Sequence, residues 1–307
     1  MKISTTQYFR QSTQQLNNIQ SDLSKTQEQL STMKKINNPS DAPEKAANIT
    51  RLQSVLARQQ SYQDTIKSVN IRLTAEETAL TSASDVMAKI KELSIQATND
   101  TTSDADRKSI GLQVKTLRDQ LLSLANSQDA QGNYLFSGSK AGQPAFGLND
   151  KGEMVYQGDQ ARMKVNVGDS RQVNLNLPGS DAFVRVVRKD EQGNSYGVGF
   201  FQALDDMVNA INSSDHNNMQ RGISELSKLS DGLTQGLGQV GADQTVTDLQ
   251  SSVLDALILR LKTDKSGIED TDYTEAATQL SKQSLALQAA QNSFAKISEL
   301  SLFKYLG

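Results

Sequence analysis

Two stretches at opposite ends of the chain carry the same spacing, and that spacing constrains the fold more than anything else in the sequence. Near the C-terminus, Tyr273, Ala276, Leu280, Gln283, Leu287, Ala290, Phe294, Ile297 and Ser301 step by three and four. Near the N-terminus, Phe9, Ser12, Leu16, Ile19, Leu23, Thr26, Leu30 and Met33 do the same. A repeat of about 3.5 residues draws one narrow apolar stripe along a helix. No Gly or Pro interrupts either stripe. A lone helix with so thin a stripe is marginal in water, because packing supplies most helix stability. Each helix therefore needs a partner, and the economical pairing is of the two ends with each other. Polar residues in the stripes (Ser12, Thr26, Gln283, Ser301) weaken such a coiled coil while restricting its register.

The segment between these ends also reads mainly as helix. The predicted N-terminal helix covers about Thr5 to Lys35, roughly 45 Å at 1.5 Å per residue. Asn37-Asn38-Pro39-Ser40-Asp41-Ala42-Pro43 then breaks it, with Ser40 or Asp41 expected to cap the next helix and Pro43 to sit near its first position. A long helix is expected from about Glu44 to Gln96, on the stripe Ile66, Val69, Leu73, Glu76, Leu80, Ala83, Met87 and Ile90. Ser103-Asp104-Ala105-Asp106 opens another helix in capping-box style, with Ile110, Val114, Leu117, Leu121 and Leu124 on its apolar face.

From Gly132 the pattern changes. Tyr134-Leu135-Phe136 is a short apolar run, and Asn149-Asp150-Lys151-Gly152 is a turn signal. Met163, Val165 and Val167 alternate with polar residues, as do Val173, Leu175 and Leu177, with Gly168-Asp169 between them, so a hairpin is expected. Ala182 to Arg188 is a strand candidate before the Gly193-Asn194 turn. Helical periodicity returns at Phe200 and runs to about Lys265, where Gly222, Gly232, Gly236, Gly238 and Gly241 either permit close helix approach or mark a break. The expected fold is mainly α: terminal helices paired as a coiled coil (1–36 and 273–307), a helical core (37–140 and 200–272) and a small β-rich insertion (141–199).

Composition narrows the function classes. Lys+Arg 32 against Asp+Glu 35 gives a net charge of −3, which shows no nucleic-acid footprint. Cys is absent, which excludes disulfides and thiol chemistry. Aromatics are 5% with no Trp, a composition suited to long helices sharing thin cores. His216 is the only histidine, so neither a zinc site nor a triad is supported, and it is expected on the surface. Gly236-Leu237-Gly238-Gln239-Val240-Gly241 has Gly-x-Gly-x-x-Gly spacing, yet no strand precedes it. Asp205-Asp206 and Glu76-Glu77 read as solvated helix faces. No catalytic residue, cofactor or metal site is expected. The first residues lack the apolar core of a cleaved signal peptide, and nothing reaches the roughly 18 apolar residues of a membrane span. The chain is therefore expected either to remain in the cytosol as a coiled-coil binding module or to be exported without signal cleavage.

Four segments together resemble the flagellin superfamily, nearest to its hook-associated branch. They are Lys35-Ile36-Asn37-Asn38-Pro39-Ser40-Asp41-Ala42-Pro43, Gly132-Asn133-Tyr134-Leu135-Phe136-Ser137-Gly138-Ser139, Tyr156-Gln157-Gly158-Asp159, and the stretch from Asp272 to Ala289 with the ending Leu300 to Leu306. Lys35 and Ala42 depart from the family's Arg and Asp. The resemblance implies a structural adaptor between flagellar hook and filament, exported through the flagellar type III apparatus and located outside the cell in the flagellum. It also implies four partners: a second hook–filament junction protein, flagellin, copies of the chain itself in a ring, and an export chaperone on the C-terminal helix. The residues expected to form the assembly interface are Phe9, Leu16, Ile19, Leu23, Leu30, Leu280, Leu287, Phe294, Ile297, Leu302 and Phe303. Asn38, Pro39, Ser40, Asp41 and Pro43 form the family-motif loop. A flagellin-type filament subunit is the nearest alternative.

Overall fold

The structure, a computed structural model, describes residues 2–190 and 192–306, with side chains for 7–190 and 192–296. The elements in chain order are α1 (Lys2–Thr32), α2 (Pro43–Thr98), α3 (Asp104–Ala125), β1 (Phe146–Leu148), β2 (Met154–Tyr156), β3 (Lys164–Asn166), β4 (Gln172–Asn174), α4 (Gly179–Ala182), β5 (Val186–Lys189), β6 (Ser195–Val198), α5 (Phe200–Asn212), α6 (His216–Glu269) and α7 (Tyr273–Leu306). They fall into two compact units, Met1–Arg58 with Ala256–Gly307, and Gln59–Asp255. The mainly α fold with a small β-rich insertion is the one expected from the sequence.

In the first unit α1 and α7 pack against each other antiparallel. Phe9 meets Phe294 edge-on at 5.4 Å, and Lys34 bridges to Asp270 at the other end of the pair. α1 stops at Thr32, three residues before the expected Lys35, because Met33 turns to φ +57°. That turn frees its carbonyl to accept the Thr271 N–H (3.0 Å), while Lys35 N–H donates to the Glu269 carbonyl (2.6 Å). The cap expected at Ser40 or Asp41 is absent. Asp41 instead accepts the Asn38 N–H at 3.1 Å and closes the loop on itself. Pro43 opens α2 as expected, where its missing N–H has no helical partner to lose.

In the second unit the α2 stripe is fully buried: Ile66, Val69, Leu73, Leu80, Ala83, Met87 and Ile90. From α3, Ile110, Val114 and Leu121 join them, and Leu117 and Leu124 pack at the margin. Ser103 caps α3 by accepting the Asp106 N–H at 3.2 Å, as its sequence implies. The strands form three separate antiparallel hairpins, β1–β2, β3–β4 and β5–β6. The β3–β4 hairpin pairs Val165 with Val173, as the alternation requires. The candidate strand at Ala182 to Arg188 is shorter than expected, since α4 occupies its start and β5 begins only at Val186.

A five-residue turn occurs three times, at Asp129–Asn133, Asn149–Glu153 and Asp190–Asn194. In each, the first side chain accepts the N–H groups two and four residues on, and the fourth residue is Gly at positive φ (Gly132, Gly152, Gly193). The side-chain acceptor and the glycine together make each reversal local. Tyr134-Leu135-Phe136 forms no strand. Tyr134 makes only an isolated bridge to Gln128, the N–H groups of Tyr134 and Leu135 donate to the Ala141 and Ser127 carbonyls, and Arg72 binds the carbonyls of Tyr134 (3.2 Å) and Leu135 (3.0 Å).

α6 continues unbroken through all five glycines and past Ser266-Gly267 to Glu269. Three of the glycines mark close approaches. A Cβ on Gly236 would lie 2.7 Å from the Ala182 Cβ, one on Gly232 2.6 Å from Val184, and one on Gly222 would collide with Met207. Gly238 and Gly241 meet nothing. Two substitutions of the same kind in one helix should therefore have opposite signs. Gly238→Ala is expected to stabilise by about 1 kcal/mol through helix propensity, whereas Gly236→Ala should cost about 1–3 kcal/mol by overpacking. Denaturant midpoints of the two variants check this, and shifts of the same sign would contradict the packing.

Candidate assembly site in the terminal helices

The α1 and α7 stripes are half-buried along their lengths rather than buried. Phe9, Ser12, Leu16, Ile19, Leu23 and Leu30 on α1 share this intermediate exposure with Leu280, Gln283, Leu287, Ala290 and Phe294 on α7. Only Thr26 (5% exposed) and Ala276 (7%) are well covered, both near the end closed by the Lys34–Asp270 bridge. Met33 and Tyr273, expected on the stripes, are exposed: Met33 lies beyond the last turn of α1 and Tyr273 is the first residue of α7. The side chains of Ile297, Leu302 and Phe303 lie outside the described residues. A two-helix pair can bury each stripe from one side only. The half-buried Leu and Phe side chains retain apolar surface whose removal from water is worth about 25 cal/mol per Å².

The pair is closed at one end by a cluster of charges. Glu269 receives Lys34 Nζ at 2.7 Å and Lys265 Nζ at 3.1 Å. Burial pushes the Glu269 carboxyl up, but these two ammonium groups more than offset it, and its pKa lies below the usual range. Lys34 is raised in return, chiefly by its hydrogen bond to Glu269. Beside this cluster the family-motif loop is fastened to α1. Lys25 Nζ lies 2.9 Å from Asp41, and that contact leads the causes holding the Asp41 carboxyl below its ordinary value. Thr32 Oγ1 donates to Asn37 Oδ1 at 2.8 Å. Asn38 and Pro39 line an open cleft of about 480 Å³ with Ile36 and Ile49. Ser40 and Pro43 are exposed.

Two other motif segments meet each other in the second unit. The Asp159 carboxylate accepts Ser139 N–H at 2.8 Å and Ala161 N–H at 3.0 Å, and is bonded also by the Ser139 hydroxyl. These bonds, the hydroxyl's first, hold its pKa low. The Tyr156 hydroxyl lies 2.9 Å from the Phe136 carbonyl and 2.8 Å from that of Asp159, and burial raises it to about 12. Gly138 adopts φ +71°, and a Cβ there would strike Asp159. The Tyr-Gln-Gly-Asp segment is thus a clasp on the Ser-Gly-Ser turn. Their separation in sequence hid that contact.

Of the two pairs read as solvated faces, the structure corrects Glu76 and shows Asp205 and Asp206 to be partly exposed but ion-paired. Glu76 is fully buried, with Oε2 accepting the Leu177 N–H at 3.3 Å and Arg72 Nε 3.4 Å from Oε1. Asp206 and Glu225 both bind Arg188, and Asp205 binds Arg118 at 2.8 Å. The opposite charge on Asp205 and on Asp206 comes from another element, which is why local sequence did not disclose it; Glu225 is met both by Arg188 and by Arg221 of its own helix at 3.6 Å. His216 is the first residue of α6 and sits 3.6 Å from Asp100 at the surface. The Gly236–Gly241 spacing lies wholly within α6. Among the described residues no group of three or more His, Asp or Glu side chains could hold a metal ion, and no helix is long and apolar enough to cross a membrane.

Comparison with known proteins places this arrangement. Residues 3–141 match the bacterial flagellin N-terminal helical region and residues 223–306 the bacterial flagellin C-terminal helical region. Flagellar hook-associated protein 3 of Salmonella typhimurium is 27% identical over 317 residues, covering 99% of each chain. Two solved structures share the fold: a putative flagellar hook-associated protein from Vibrio parahaemolyticus (TM-score 0.67, 19% identity, 75% of this chain and 100% of that one) and FlgL from Xanthomonas campestris (TM-score 0.62, 23% identity, 71% and 99%). The matched helical regions take in α1 and α7, and the full-length likeness runs through the β-rich insertion as well. The chain belongs to the flagellin superfamily, among its flagellar hook-associated proteins.

Proposed function

We propose that this chain is the structural adaptor that joins the flagellar hook to the flagellin filament, and that it performs no catalysis. The observation that carries this reading is the half-buried stripe along both terminal helices of a chain similar to a hook-associated protein over its full length. Phe9, Leu16, Ile19, Leu23, Leu30, Leu280, Leu287 and Phe294 form the surface offered to neighbours, and the sequence pattern assigns Ile297, Leu302 and Phe303 to the same interface. The partners are a second hook–filament junction protein on one side, flagellin on the other, and further copies of the chain in a ring.

Before assembly the chain passes through the type III export path and is secreted without signal cleavage, with an export chaperone covering the α7 stripe. The thinness of that stripe supports this order of events, because a pair that buries so little is easily opened. In this reading residues 1–36 with 273–307 make the assembly domain, 37–140 with 200–272 a helical core domain, and 141–199 a β-rich inserted domain. The alternative of a filament subunit is disfavoured by the likeness to a hook-associated protein across 99% of both chains. In a flagellated strain lacking this chain, intact flagellin is expected free in the medium, since export continues with nothing to nucleate the filament. Retention of flagellin on the cell in normal filaments would overturn the proposal, and so would loss of the filament material itself.

A further inference from the structure

The segment Met33–Ile36 has the sequence of a helix but not its conformation. The stripe of α1 steps on from Leu30 to Met33, and Met33, Lys34 and Lys35 are all good helix formers. A second helix end stands ready just beyond. Asn37 is of the residue type that, after Gly, most often closes a helix in the left-handed conformation, and Pro39 follows it shortly. Yet α1 stops at Thr32, and Met33 takes φ +57°. A bulky residue at positive φ carries strain that persists only where the surroundings over-determine it. The Met33 side chain is 54% exposed, so its own packing does not impose the turn.

The connection between α6 and α7 imposes it. Lys35 N–H donates to the Glu269 carbonyl at 2.6 Å, and Thr271 N–H to the Met33 carbonyl at 3.0 Å. Between these bonds Lys34 pairs with Asp270 as an antiparallel bridge, and its Nζ lies 2.7 Å from Glu269. As a helix, the same segment would instead donate its N–H groups to the carbonyls one turn back, from Gln29 to Thr32. Lys34 and Lys35 would then stand in the last turn of α1, where cations oppose the helix dipole and where α1 now has no basic residue. The Lys35 N–H can serve the Glu269 carbonyl or the helix, so the two arrangements exclude each other.

We infer that Met33–Ile36 is a switch segment. It is bridged to Glu269–Thr271 while α1 and α7 are paired, and it joins α1 as one further turn, about 6 Å long, when the bridge opens. The length of α1 is thereby coupled to its pairing with α7. This switch operates in the isolated chain and does not depend on the hook–filament role.

Two substitutions of Met33 in the isotopically labelled full chain test the switch by NMR. Met33→Gly relieves the left-handed turn and disfavours the helix, so amide exchange at Thr271 and Lys35 should slow about tenfold. Met33→Ile makes that turn a steric outlier while remaining compatible with a helix. In the isoleucine chain exchange at both amides should quicken, and the Cα shifts of residues 33–36 should move to helical values while the signals of the second unit stay in place. Cα shifts at 33–36 that stay short of helical values in that chain would overturn the inference. So would exchange that neither variant moves, or that both move in the same direction.

Discussion

Replacing Phe183 with alanine is expected to destabilise the second unit by about 3–5 kcal/mol. The ring is 3% exposed and is the hub of an aromatic cluster. It meets Phe136 at 5.5 Å, Phe146 at 5.4 Å and Phe200 at 5.2 Å edge-on, and lies stacked at 6.4 Å from Phe201. These partners come from the loop before β1, from β1 itself and from α5, so one side chain binds the β-rich insertion to the helical core. Truncation leaves a cavity that ring neighbours cannot fill by small shifts, since aromatic rings have only two side-chain torsions. For a unit of this size the loss corresponds to roughly 6–20 °C in Tm. Phe183→Leu keeps most of the volume and should cost less than about 1.5 kcal/mol. Thermal melts of the two variants test the assignment, and an alanine variant within about 1 kcal/mol of the parent would contradict it.

The second large effect is a pH dependence centred on Glu76. Burial drives its pKa up to about 8, opposed by Arg72 and the Leu177 N–H and reinforced by Asp243. In the unfolded chain a glutamate titrates near 4.5. A folded pKa above the unfolded one means that the stabilisation is fully present below pH 4.5 and is lost as pH rises through about 8. The slope in that window is at most about 1.4 kcal/mol per pH unit. Glu76→Gln is neutral throughout and keeps an acceptor for Leu177, so it should remove this slope and become the relatively more stable chain at alkaline pH. Urea midpoints measured from pH 5 to pH 9 decide the matter. Parallel curves for parent and variant would show that Glu76 does not titrate as its burial requires.

The parts of this fold that were legible in the sequence are those set by local periodicity. The steps of three and four identified both terminal stripes, and their positions from Phe9 to Leu30 and from Ala276 to Phe294 are the ones that the α1–α7 pair covers. The Gly193-Asn194 and Asn149–Gly152 turns were readable because a side-chain acceptor and a glycine at fixed offset suffice to form them. What was not legible depends on partners far away in the chain. Asp41 was expected to cap α2 but is held by Lys25, sixteen residues back. Glu76 occupies the stripe position between Leu73 and Leu80, and that spacing was the available signal of its burial; the presence of Glu77 beside it suggested a solvated face instead. The Tyr134–Phe136 run has strand composition, yet its backbone is held by the Ser127 and Ala141 carbonyls and the Arg72 side chain instead of by one partner strand.

For the assembly site, the stripe residues were legible and the charge cluster that closes the pair was not. Lys265 and Glu269 are four residues apart on α6, but nothing local joins Lys34 to them; it meets Glu269 because α1 ends at Thr32 and α6 runs on to Glu269. This cluster fixes the register of α1 against α7 at one end and leaves the stripes half-buried; under the proposed role, neighbouring molecules complete them. The terminal pair is in this sense an unfinished core, and the proposed role follows from what would finish it.

The most direct test of that role is electron microscopy of flagella from a strain in which this chain alone has been deleted. The account requires hooks without filaments on otherwise intact basal structures, with filaments restored by the full-length gene but not by one lacking residues 2–32. Filaments of normal length growing from the hooks of the deletion strain would contradict it.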